Sequence, residues 1–168
     1  MSTKSNAQTG TRTAGRGVGQ DAIALLTADH REVADMFDEF EGLGDRAKSS
    51  KKKLADKICN ALVVHTTIEE EIFYPAVRAA LKSKDDQDKL DEAIVEHAAA
   101  KDLIRQIQEM DPEDDLYDAK VKVLGEEVEH HVEEEEKEMF PNVKKSDLDL
   151  MALGQELAMR KQELQATL

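Results

Sequence analysis

With 168 residues, 40% of them hydrophobic and only 4% aromatic, the chain has material for one core of ordinary domain size and little for a turn-rich sheet protein. Its 37 acidic residues against 23 basic ones give a formal charge of −14, and the only charges in residues 1–20 are Lys4, Arg12 and Arg16, so the remainder stands at −17. Such a field repels phosphate backbones and anionic lipid, which argues against nucleic-acid and membrane partners. No apolar run approaches the roughly 18 residues of a spanning helix or forms a secretory leader, so a cytoplasmic protein is expected.

Residues 1–20 are rich in Ser, Thr, Gly and Gln, with Val18 the only large aliphatic after Met1. They bury too little apolar surface to offset their ordering entropy and are expected to form a disordered tail. From Asp21 onward, Ile23, Leu26, Val33, Phe37 and Phe40 recur at helical spacing, predicting a core-facing helix to about Glu41, before Gly42-Leu43-Gly44. Leu54, Ile58, Leu62, Ile68 and Ile72 predict a second helix running toward Leu81, with Pro75 kinking or breaking it because proline removes a backbone donor. Cys59, beside Ile58 and Leu62, reads as a packed thiol without chemistry.

A third helix carries Leu90, Ile94, Ile104 and Ile107 and closes at Asp111-Pro112. A fourth carries Leu116, Val121, Leu124 and Val128 and continues to about Met139, with Pro141 ending or bending it. Leu150, Leu153, Leu157 and Leu164, after the cap-like Ser146-Asp147, predict a short fifth helix packed on the outside, with no histidine and no candidate site. The expected organisation is a tail over 1–20, an all-α four-helix bundle over 21–142 and a C-terminal helix over 143–168.

The histidines carry the chemistry. His30 lies four after Leu26 and seven before Phe37, His65 seven after Ile58, His97 seven after Leu90 and His131 seven after Leu124, so each bundle helix points one imidazole inward. Glu69 and Glu135 follow His65 and His131 by four residues, which at 3.6 residues per turn places each pair within about 40° on one face. A lone histidine on an apolar stripe is usually a satisfied core residue. Four, one per helix, joined by two carboxylates too costly to bury without a counter-charge, point to metal.

The second half repeats the first. His65 to Pro75 aligns without gaps on His131 to Pro141, and Asp29-His30 corresponds to Glu96-His97. Two such hairpins about a pseudo-two-fold axis would bring His30, His65, Glu69, His97, His131 and Glu135 together at mid-bundle. Six donors exceed a closed four-ligand zinc site and suit a carboxylate-bridged pair of ions, although donor type alone admits iron, zinc, copper or manganese. His130, rotated about 100° from His131, reads as a surface residue, and Glu136, turned about 140° from His131, is the alternative to Glu135. Tyr74 and Phe140 read as core residues, with a hydrogen bond from the Tyr74 phenol to the centre as a second role.

A helical histidine, an HxxxE pair ending in Phe-Tyr-Pro, then a second histidine and a second HxxxE pair ending in Met-Phe-Pro together resemble the hemerythrin-like, HHE cation-binding proteins over residues 21–142. The resemblance implies an up-down-up-down bundle holding two iron ions in an oxo- or hydroxo-bridged centre, with Glu69 and Glu135 as bridging carboxylates. Two departures argue against reversible oxygen carriage. Lys101 stands four after His97, where oxygen carriers have a second histidine, and Glu136 stands where they use an aspartate. The expectation is a di-iron protein that senses or reacts with oxygen, peroxide or nitric oxide, in redox or stress response or iron homeostasis, with no protein partner specified. The alternative is an enzyme turning over hydrogen peroxide, and a metal-free helical interaction module is disfavoured by its buried charges.

Overall fold

A computed structural model describes residues 19–168, and the tail expected over 1–20 lies almost wholly outside them. Helix α1 (Ala22–Glu41) starts where the Asp21 carboxylate accepts a hydrogen bond from the Ala24 amide at 2.8 Å. Helix α2 (Lys48–Ile68) passes through a π-helical turn (Glu69–Phe73) into α3 (Tyr74–Ala80). Helix α4 (Lys84–Glu109) is capped by Ser83, and α5 (Tyr117–Glu134) passes through a second π-helical turn (Glu135–Met139) into α6 (Phe140–Lys145). Helix α7 (Leu150–Gln165) completes the chain. The architecture is an up-down-up-down bundle of α1, α2–α3, α4 and α5–α6, with α7 laid against α1 and α2.

The prolines neither end nor break their helices. In each π turn the register widens by one residue, so the Tyr74 amide reaches the Glu69 carbonyl and the Phe140 amide the Glu135 carbonyl. This widening, just before Pro75 and Pro141, absorbs the backbone bond that proline cannot make. Both π turns begin at a glutamate expected in the site.

Three other expectations need correction. Ile94 is 41% exposed because Leu90, Ala93 and His97 form the inward line of α4. Leu116 is 60% exposed and caps α5, while its neighbour Tyr117 is the buried anchor. The α7 cap is Asp149, accepting from the Ala152 amide at 3.0 Å, rather than Ser146-Asp147.

The core has two parts. Leu26, Ile68, Phe73, Val77, Leu90, Phe140 and Leu157 belong to one, and Val33, Leu54, Ile58, Leu62, Ile104, Tyr117 and Leu124 to the other. On all four bundle helices the histidine lies in sequence between residues of the two parts. The bundle therefore carries a polar layer between two apolar ones, where a buried charge must find its partner within the protein.

Candidate metal centre

All six expected residues are buried and meet in that layer. His30, His65, Glu69 and Glu135 offer donor atoms within 4.8 Å of one another, and Glu69, His97 and His131 form a second such group. Glu69, 0% exposed, sits in both: Oε1 is 3.1 Å from His65 Nε2 and Oε2 is 3.2 Å from His97 Nε2. Glu135 Oε2 lies 3.2 Å from His30 Nε2 and 3.9 Å from His131 Nε2. The Nε2 atoms of His97 and His131 are 3.2 Å apart.

His30 Nε2, His65 Nε2, Glu69 Oε1 and Glu135 Oε2 are buried without a hydrogen-bond partner, although neighbouring donor atoms approach within 3.1–3.2 Å. Two donors each about 2.0–2.2 Å from one cation at near-tetrahedral or octahedral angles stand roughly 3 Å apart, so the spacing matches ligation. The residues present fit a metal cation, with Glu69 common to both donor groups.

Every imidazole points Nε2 inward and Nδ1 outward to a carboxylate. His65 Nδ1 is 3.2 Å from Asp29, His131 Nδ1 2.6 Å from Glu96, His97 Nδ1 2.9 Å from Glu70 and His30 Nδ1 3.2 Å from Glu136. Such partners fix the tautomer that leaves Nε2 free to bind a cation and increase its basicity. A cation backs most of these carboxylates: Lys161 of α7 touches Asp29, Lys101 lies 2.6 Å from Glu70 and Arg31 3.0 Å from Glu136. Helix α7, expected to carry no site residue, thus reaches the centre through Lys161 and Asp29. His130 is exposed, 3.2 Å from Glu134.

The sequence reading missed Asp29, Glu70, Glu96 and Glu136 as imidazole partners. Their signal was the repeat, since Asp29 aligns with Glu96, and Glu70 with Glu136. Symmetry fails at one pair. The Tyr74 hydroxyl donates toward Glu135 at 3.0 Å and Glu69 at 3.2 Å, whereas its counterpart Phe140 stacks on the His30 ring at 5.9 Å. Burial, then the charges of Glu135 and Glu69, push the Tyr74 phenol well above its ordinary value, so it stays protonated as a donor to them.

Burial opposes charge on His65, but Glu69 and then Asp29 outweigh it and raise the imidazole to about 10. His131 likewise resists burial, through Glu96 and then Glu135, and rises to about 9. For Glu69 burial is again the largest influence and works against charge, yet His65 and His97 hold its carboxyl well below the usual carboxylate range. At neutral pH the metal-free site therefore holds His65 and His131 as imidazolium and Glu69 as carboxylate. A metal binds neutral imidazole, so loading must displace the protons on His65 and His131. Loading at pH 7 in weak buffer is expected to release up to two protons from this pair, and affinity to rise with pH until both have titrated. Proton release measured by pH-stat that stays at zero would contradict this.

The helical bundle and its paired His/Glu layer define a metal-binding class, and comparison with known proteins names the family. Residues 21–143 match the model of the hemerythrin HHE cation-binding domain, and the chain belongs to that family. A "DNA nickase" of Nostoc sp. is 30% identical over 125 residues, which span 74% of this chain and 33% of that protein, so the chain covers about a third of the curated relative it matches. The crystal structure of a hemerythrin HHE cation-binding domain-containing protein from Mycobacterium kansasii shares the fold, with a TM-score of 0.74 at 22% identity over 88% of this chain and 89% of that one. No helix among the described residues is long and apolar enough to cross a membrane.

Proposed function

We propose that the chain is a non-haem di-iron protein that senses or reacts with dioxygen, peroxide or nitric oxide. The observation carrying this reading is the set of orphaned donor atoms, His30 Nε2, His65 Nε2, Glu69 Oε1 and Glu135 Oε2, buried together in one layer. Family membership supplies the cation-binding role, and mixed imidazole and carboxylate donors suit iron. His30, His65 and Glu135 would hold one ion, His97 and His131 the other, and Glu69 would bridge. Such a centre supplies redox chemistry with small oxygen or nitrogen species when bound.

The protein's own contribution is positional. Asp29, Glu70, Glu96 and Glu136 hold the imidazoles with Nε2 inward, Tyr74 keeps a proton on its phenol between the two glutamates, and the two apolar layers limit water. The curated nickase is a larger protein, and its activity does not transfer to a chain matching a third of it. The strongly acidic composition also disfavours a phosphate backbone here.

Metal analysis and absorption spectroscopy of protein purified in air test the proposal. About two irons per chain with near-ultraviolet oxo-to-iron bands are expected. Persistent absence of iron after anaerobic reconstitution would refute it. Steady-state oxygen evolution from hydrogen peroxide separates catalytic turnover from a stoichiometric response.

A further inference from the structure

A cavity of about 200 Å³ lies against the histidine layer. His30, His65, His97 and His131 form its inner end, Val33, Leu62, Ala100, Ile104, Val128 and Val132 its walls, and the exposed Ala99, Glu127 and His130 its mouth. Its origin is legible in the chain: Ala99 and Ala100 place short side chains of α4 along it.

The size exceeds what the smallest ligands need. A water occupies roughly 30 Å³ of liquid, and a diatomic or hydrogen peroxide is of similar order, whereas an apolar cavity of about 150 Å³ accepts benzene. Most of the wall is apolar, and its polar side chains Thr66, Asp29 and Glu96 are already hydrogen-bonded to Val63, to His65 and Lys161, and to His131, respectively. A neutral molecule with an apolar body matches such walls without the cost of burying a charge along them.

We infer that this cavity binds the body of an organic hydroperoxide of about six to nine carbons, its peroxy group directed to the histidine end. The inference deepens the proposed di-iron reading and rests on it for the chemistry, but not for the binding. With two ferrous ions held by the histidines and glutamates, the centre would supply two electrons and solvent two protons, enough to cleave the O–O bond to one alcohol and one water while both ions become ferric.

Binding is tested with cumyl alcohol, the redox-inert counterpart of cumene hydroperoxide, by calorimetric titration of the full chain as purified, whatever metal it holds. Saturable binding is expected, weakened at least about tenfold in Ala100→Phe, which fills the cavity, with metal content unchanged. Val132→Phe serves the same purpose from α5 should the first variant fold poorly. In the ferrous protein either variant should slow oxidation by cumene hydroperoxide at least about tenfold more than oxidation by hydrogen peroxide. Absence of cumyl alcohol binding, or binding indifferent to both variants, overturns the cavity assignment even if iron is present. Binding without iron upholds the cavity and sinks the di-iron reading, and equal slowing of both peroxides overturns the selectivity for an organic body.

Discussion

Glu69→Ala is expected to strip metal from both halves of the centre, because Glu69 alone contributes an oxygen to each donor group. Metal analysis after dialysis should fall from about two ions per chain to near none. His30→Ala removes a donor from one group only, leaving Glu69, His97 and His131 together, so about half the metal should survive. Glu69→Ala also takes the buried carboxylate from between His65 and His97, a loss of about 3–5 kcal/mol for a broken buried pair. Glu69→Gln keeps the volume and some hydrogen bonding, so metal loss in a folded Gln variant assigns the effect to ligation. Full metal content in both Glu69 variants would mean that the ions do not share this residue.

Gly154→Ala is expected to destabilise the protein despite alanine's better helix propensity. A Cβ at Gly154 would lie 2.4 Å from the Gln20 carbonyl oxygen, 2.7 Å from the Asp21 carbonyl carbon and 2.8 Å from the Ala22 nitrogen. All three are backbone atoms, so no rotamer change relieves the clash and α7 must move off the start of α1. Overpacking of this kind costs about 1–3 kcal/mol, more than the roughly 1 kcal/mol that alanine gains inside a helix. A net loss of up to about 2 kcal/mol corresponds to a drop of up to about 8 °C in the unfolding midpoint of a chain this size. The displacement should also separate Lys161 from Asp29 and weaken the hold on His65. An unchanged midpoint would show that α7 is not seated as described.

The bundle was legible because its helices are strongly periodic, and the six inward residues because each shares a helical phase with the apolar stripe. What escaped the sequence was whatever depends on a neighbouring helix. Ile94 has the right residue type for the core, yet Ala93 is the buried neighbour, in line with Leu90 and His97 on the face that α4 turns inward. Pro75 and Pro141 suggested breaks, since intrinsic propensity carries no hint that a π turn would absorb them. Lys161 is 132 residues from Asp29, beyond any local pattern, and Gly154 gave no sign of the backbone it accommodates. Asp29, Glu70, Glu96 and Glu136 stood within the aligned repeat, but only the distances to Nδ1 assign them a task.

The division of donors between two hairpins has a mechanical consequence. Neither hairpin holds a complete set, and each donor group joins residues 30–69 to residues 97–135 across the polar layer. An ion bound there is a cross-link between sequence-distant halves, comparable to a disulfide in restricting the unfolded chain, but reversible and placed at the centre rather than the rim. Loaded protein would open only by breaking coordination, whereas stripped protein could part along the seam between hairpins. Metal occupancy would then set the cooperativity of the fold as well as its chemistry, coupling loss of the ions to exposure of the surface that they hold closed.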